Sequence, residues 1–205
     1  MLVVVGGHSR KIGKTSVVAG LIRKLRDRRW TALKITQYGN GVCANHTGTA
    51  CECEPAGDEK FVLSEEYEAG STDSGRFLAA GAERSFWLRV PSGELPRAAG
   101  TVRKILAQGA NVIVESNSVV ELVAPDVFLM LLDFSCEDFK ASSLRSLDCV
   151  DACVVIDRGI NAPLWEEVAR GMWDGKPRFL VKPPRYVTAE VADFVKSRIS
   201  AASAR

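Results

Sequence analysis

The stretch Leu2-Val3-Val4-Val5-Gly6-Gly7-His8-Ser9-Arg10-Lys11-Ile12-Gly13-Lys14-Thr15-Ser16 limits the possible folds more than any other. It opens with an apolar, β-branched run, the pattern of a strand buried on both faces of a parallel sheet. A glycine-bearing turn follows, and Gly13-Lys14-Thr15 starts a run with helical apolar spacing. Successive backbone N–H groups in such a turn form a nest for anions, and the positive end of the helix dipole adds to it. A lysine at position 14 brings a full charge to the β- and γ-phosphates, and the hydroxyl of Thr15 suits Mg²⁺. Gly7, His8, Ser9, Arg10, Lys11, Ile12, Gly13, Lys14, Thr15 and Ser16 are therefore the candidate phosphate-contacting residues. Four residues between the glycines is the usual spacing of such a loop, and it would place glycine where this chain has His8; counted from Gly7, five residues intervene.

A chain of 205 residues suits one α/β domain with a well-buried core. Its 46% hydrophobic and 25% charged content is ordinary for a globular protein. A net charge of +2 gives no reason to expect nucleic acid or an anionic membrane as partner. No run approaches the ~20 apolar residues of a membrane span. With a strand starting at Leu2 there is no room for a signal peptide, so the expected compartment is the cytoplasm. The six cysteines are then expected to be reduced thiols or metal ligands. Cys136, Cys149 and Cys153 lie by apolar runs and read as small buried residues.

Beyond the loop, Val17, Val18, Leu21, Ile22 and Leu25 keep helical spacing, and the pattern stops in Arg26-Asp27-Arg28-Arg29, where basic residues suit a helix C-terminus. Thr31 to Thr36 reads as a second strand. Residues 37–71, rich in Gly, Cys, Glu and Asn, read as a long irregular insertion, and loops of that length inside a domain are usually functional. Ser71-Thr72-Asp73-Ser74 starts a helix. Ser85 to Val90 is a strand, Pro91-Ser92-Gly93 a turn and Leu95 to Ala107 a helix. Strands at Asn111–Glu115, Val127–Leu132 and Ala152–Ile156 end in or just before the carboxylates Glu115, Asp133 and Asp157. Pro163 to Met172 reads as a helix with proline in its first turn, Phe179 to Val181 as a last strand and Thr188 to about Ala202 as a closing helix. The alternation predicts a mainly parallel sheet with helices on both faces, a three-layer α/β sandwich.

Sites in such sheets lie at the carboxyl ends of the strands. Glu115 is placed there to hold the Mg²⁺ shell or orient a water, with a helix-capping carboxylate as the alternative. Lys34, near the end of the second strand, would meet a phosphate or a substrate carboxylate, or stand in solvent. Cys43, His46, Cys51 and Cys53 offer four soft or borderline donors, the number a tetrahedral Zn²⁺ takes, although Cys-x-Cys is tighter than the usual pair spacing. Metal would also order such a loop; the alternative is a loop with free thiols. Asn-Lys-x-Asp, the usual guanine reader, is absent, which leaves Asp157-Arg158 and Lys182-Pro183-Pro184 as candidate base-reading segments and the choice of GTP or ATP open.

The five-residue spacing resembles the loop of dethiobiotin synthetase and its relatives, within the P-loop NTPases that also include MinD-like ATPases. The extra lysine of the MinD branch would fall at Ser9. Thr72-Asp73-Ser74-Gly75-Arg76-Phe77-Leu78-Ala79-Ala80-Gly81-Ala82 resembles the Asp-Ser/Thr-x-Arg…Ala-Gly-Ala segment of the MobB family, GTP-binding adaptors of molybdopterin guanine dinucleotide biosynthesis. Val112-Ile113-Val114-Glu115 resembles that family's Val-Glu-Gly motif, and Leu33-Lys34 its Ile-Lys. The resemblance spans roughly residues 2–135 and implies Mg²⁺ or switch contact for Asp73, phosphate or dimer contact for Arg76, a homodimer, and a partner enzyme in cofactor assembly. It departs at Ser116, where the family has glycine, and at residues 35–43, where it has a His- and Asp-rich segment. The expected function is a Mg²⁺-dependent, slowly hydrolysing nucleotide switch in which Lys14, Glu115 and Asp73 carry the chemistry and Thr15, Glu115 and Asp73 hold the metal. The alternatives are an ATP-dependent ligase resembling dethiobiotin synthetase, and a metallochaperone GTPase carrying metal on the cysteine loop.

Overall fold

In the computed structural model, which describes residues 1–39, 60–165 and 168–203, the strands form one eight-stranded sheet. In chain order the elements are β1 (Leu2–Gly7), α1 (Lys14–Lys24), β2 (Trp30–Tyr38), β3 (Val62–Glu66), α2 (Asp73–Ala80) and β4 (Arg84–Pro91). Then come α3 (Ala99–Gln108), β5 (Asn111–Glu115), β6 (Val127–Asp133), α4 (Ala141–Ser146), β7 (Ala152–Ile156), β8 (Arg178–Val181) and α5 (Ala189–Ser203). The spatial order is β3-β4-β2-β5-β1-β6-β7-β8, parallel throughout except for β3, which runs antiparallel to β4 at one edge.

Strand alternation explains why β1 is apolar without a break. Val3 and Val5 face a core completed by Val17, Val18 and Leu21 of α1, Phe77 of α2 and Val191 and Val195 of α5. Val4 faces the opposite core, with Val102 and Ile105 of α3. Each is fully buried, so each side chain contributes about 1.5–3 kcal/mol of burial. The predicted three-layer α/β architecture is the one observed. Register then assembles the site: β1 lies between β5 and β6, with Val5 beside Glu115 and Gly7 beside Leu131, while Lys34 of β2 pairs with Glu115 on its other side.

Three expectations are corrected and one element is added. The stretch 37–71 is not irregular throughout, because β2 runs on to Tyr38 and β3 occupies Val62–Glu66. That edge strand lacks an apolar face: Arg84 donates to both carboxylate oxygens of Glu65, at 2.7 and 2.9 Å, so charge rather than burial holds it. Residues 40–59 of the same stretch lie outside the described residues. The helix expected at Pro163–Met172 is absent from its described residues, which hold only a 3-10 turn at Arg170–Met172; Trp165, Val168 and Trp173 fold onto the second core instead. The helix α4 was not anticipated. Of the three later cysteines Cys153 is buried as expected, but Cys136 is half-buried and Cys149, which ends a 3-10 turn ahead of β7, is exposed. Among the described residues no helix is long and apolar enough to cross a membrane.

Candidate functional site

Between β1 and α1 the chain makes a tight loop with two residues in the left-handed region, Lys11 at φ 55° and Gly13 at φ 105°. Gly13 has a double requirement. Its φ favours glycine, and a Cβ there would lie 2.3 Å from the ring of Tyr186. At the other end a Cβ on Gly7 would press on the stem of Lys14 at 2.9 Å. The Lys14 ammonium crosses the loop and donates to the carbonyl of Ser9 at 2.8 Å. Burial lowers the Lys14 pKa, partly opposed by the charge of Glu115. Arg10 is half-buried and Lys11 exposed, so both charges remain near the loop surface.

Oxygen donors converge beside the start of α1. The Thr15 hydroxyl donates to Glu115 Oε2 at 2.8 Å, and both residues are buried. Asp73, in the first turn of α2, is bonded to Lys34 Nζ and lies beside the Thr15 hydroxyl. Lys34 Nζ also lies 3.8 Å from Glu115 Oε1. Arg76 is 3.6 Å from Asp73 and donates to Ser16 Oγ at 3.0 Å. Burial alone would raise the Asp73 pKa; the bond and charge of Lys34, the neighbouring Thr15 hydroxyl and the charge of Arg76 outweigh it and hold the carboxyl below its ordinary range. Asp73 is aimed here by its helix cap, since the Gly75 N–H donates to Thr72 Oγ1 at 3.0 Å. Thr15, Glu115 and Asp73 thus meet at one place, all hard oxygen donors of the kind Mg²⁺ takes, and one or two carboxylates suffice when phosphate oxygens complete the shell. Among the described residues no group of three or more His, Cys, Asp or Glu side chains is arranged to hold a metal. Cys43, His46, Cys51 and Cys53 lie outside the described residues.

Ile12 and His8, two of the predicted loop residues, have buried side chains. The side chain of Ile12 packs into the core with α1. His8 is fully buried and turned away from the loop opening: its Nδ1 donates to the Asp138 carbonyl at 2.9 Å, and its Nε2 accepts the Asp133 N–H at 3.0 Å. Its own N–H donates to the Leu131 carbonyl at 3.1 Å, and its carbonyl accepts the Lys140 N–H at 2.8 Å. Burial pushes its pKa down to about 4. This explains why a histidine can stand where a glycine was expected: the side chain at position 8 is a buried anchor.

The anchoring partners were not singled out from sequence. Asn117, two residues beyond Glu115, accepts the Gly7 N–H at 2.8 Å and donates to the Gly7 carbonyl at 3.1 Å and to Ser143 Oγ at 2.7 Å. Ser143 donates to the same carbonyl at 2.8 Å, and Ser9 Oγ donates to Asp138 at 2.5 Å. Asn117 follows a strand-end carboxylate, a position that could have marked it. Asp138, Lys140, Ser143 and Tyr186 carried no local signal. At the far end of the sheet Asp157 lies 3.4 Å from Lys182 and accepts the Gly159 N–H, and Arg158 lies 3.3 Å from Asp133. The two candidate base-reading segments therefore meet each other at the ends of β7 and β8.

No family model matches the chain, and no curated protein matches it in sequence. Among solved structures, HypB from Helicobacter pylori in complex with nickel is similar, with a TM-score of 0.51 and 13% identity over 97% of this chain and 85% of that one. The "apo" form of LpxK from Aquifex aeolicus in complex with ATP has a TM-score of 0.47 and 17% identity, over 87% of this chain and 53% of that one. The likeness is one of fold: a mainly parallel sheet in a three-layer α/β sandwich.

Proposed function

We propose that this chain binds a purine nucleoside triphosphate with Mg²⁺ and hydrolyses it slowly, as a switch of the kind that the MobB adaptors represent. The observation that carries the proposal is the convergence of Lys14, Thr15, Glu115 and Asp73 at the start of α1, two helices and a strand contributing to one point. Lys14 would leave the Ser9 carbonyl for the phosphates, while Thr15, Glu115 and Asp73 would hold Mg²⁺. The ion would neutralise charge on the phosphate oxygens. Lys34 and Arg76 keep Asp73 ionised and in place, and Glu115 is positioned to orient a water. Because Lys34 is committed to two carboxylates, its charge is engaged in this cluster, which favours the switch over a ligase that uses Lys34 for a substrate carboxylate.

Titration calorimetry with MgATP and MgGTP, with Lys14→Ala as control, tests the proposal. Binding that the variant loses supports it, and a GTP preference would favour the adaptor. Absence of binding of either nucleotide to the wild-type chain would refute it.

A second reading is nucleotide-coupled metal handling. It is favoured by the four donors Cys43, His46, Cys51 and Cys53 and by the nickel in the similarly folded H. pylori HypB. Titration with Ni²⁺ and Zn²⁺, with and without nucleotide, distinguishes it: it requires an affinity that changes with nucleotide and is lost in Cys51→Ser with Cys53→Ser.

A further inference from the structure

The turn between β6 and α4 carries a cation that the phosphate-loop motif does not account for. Lys140 caps α4, and its N–H donates to the carbonyl of His8 at 2.8 Å, inside the phosphate loop itself. Asp138 and Ser143, on either side of it, are bonded to His8, Ser9 and Gly7. The turn is thus fastened to the loop at several points, and Lys140 moves with it. Its half-buried side chain sits within electrostatic reach of two other cations, Lys14 and Arg10, and more weakly of Asp138 and Glu115. Among the described residues no carboxylate lies within ion-pair distance of it. A cluster of cations that is half-buried and unneutralised is costly without an anion.

We propose that Lys140 is a second cationic arm of the phosphate site, joining Lys14 on the terminal phosphate oxygens of a bound nucleoside triphosphate. The assignment rests on the nucleotide-binding function proposed above and adds to it a residue from a different part of the chain. It also gives the β6–α4 turn a purpose: the bonds through His8, Ser9 and Gly7 hold this ammonium opposite the loop. Burial and the neighbouring charges of Lys14 and Arg10 bring the Lys140 amine down to about 7, against the pull of Asp138 and Glu115. At pH 7.5 such an amine is about three-quarters neutral, and an arriving phosphate restores its charge, so binding would take up about 0.7 of a proton.

The test is calorimetric titration of the full chain with MgATP, MgGTP and their diphosphates at pH 7.5, in two buffers of different ionisation enthalpy. Wild type, Lys140→Ala, Lys140→Arg and Lys14→Ala are compared. The expected result is proton uptake by the wild type and a loss of about tenfold or more in triphosphate affinity for Lys140→Ala, smaller for the diphosphate. Lys140→Arg should bind within a few-fold of wild type but with reduced proton uptake, because a guanidinium is always charged. Unchanged triphosphate binding by Lys140→Ala, with binding lost in Lys14→Ala, overturns the role of Lys140 and leaves the nucleotide site standing. Equal loss in the alanine and arginine variants with lowered thermal midpoints assigns Lys140 to the scaffold and also overturns the proposal. If Lys140→Ala instead weakens only inorganic phosphate binding to the MgADP or MgGDP complex, the arm serves a separate anion and the proposal fails. No binding by the wild type overturns both.

Discussion

Acid should loosen the loop between β1 and α1 through a single buried imidazole. His8 is fully buried and held in one tautomer, with a proton on Nδ1 for the Asp138 carbonyl and a bare Nε2 for the Asp133 N–H. A second proton would place N–H against N–H, and burial already disfavours the charge, so the pKa falls from 6.5 to about 4. The unfolded chain therefore binds this proton more readily than the folded one. Stability is fully present above pH 6.5 and is lost as pH falls towards 4. Between pH 7.5 and 5 the loss works out at about 2 kcal/mol, from a slope approaching 1.4 kcal/mol per pH unit. Carboxylates with lowered pKa values, such as Asp73 and Asp133, lose their contribution mainly below this window. Urea unfolding at pH 7.5, 6.5, 5.5 and 5.0 measures the slope in wild type and in His8→Asn. Asparagine can keep a donor and an acceptor but cannot titrate, so its profile should be flatter by about 2 kcal/mol across the range. His46 is present in both proteins and cancels in the difference. Parallel profiles for the two proteins would refute the assignment of His8 as a neutral anchor.

Two further outcomes follow from the same geometry. Gly13→Ala meets both a positive φ and the ring of Tyr186, so it should destabilise by about 2 kcal/mol or more in urea unfolding; Tyr186→Ala in the same chain should recover the steric part and leave the backbone part, about 1 kcal/mol. Thr15→Val keeps the volume but removes the donor to buried Glu115, so it should cost about 1–3 kcal/mol of stability and, more tellingly, abolish the Mg²⁺ dependence of nucleotide affinity in calorimetry; an unchanged Mg²⁺ dependence would separate Thr15 from the metal.

The fold was legible because its main signals are local. An uninterrupted apolar strand, a glycine-bearing loop and a lysine opening a helix are contiguous in the chain, and strands buried on both faces show their burial in composition alone. Glu115 and Lys34 could be placed because parallel strands bring their carboxyl ends to one edge. The edge strand β3 escaped notice because Arg84 and Glu65 hold it by charge, leaving no apolar alternation to read. The helix expected at Pro163–Met172 failed for a related reason: Trp165, Val168 and Trp173 gain more by packing with Phe134 and Phe139 than a short proline-led helix would gain by propensity.

The sequence by itself determined the parallel core of the sheet, the glycine-bearing loop and the candidate carboxylates. Tertiary structure decided what each loop residue does. Position 8 could be counted against a spacing rule, but only the packed turn between β6 and α4 shows that His8 faces inward and binds Asp133 and Asp138. Gly7, Asn117 and Ser143 are more than a hundred residues and a further twenty-six apart, yet they share one hydrogen-bond cluster. Lys140 comes to the loop across the same distance. Hydrogen bonds and charges act through space over a few ångströms, and a sequence records which groups are present while only the fold sets how far apart they are.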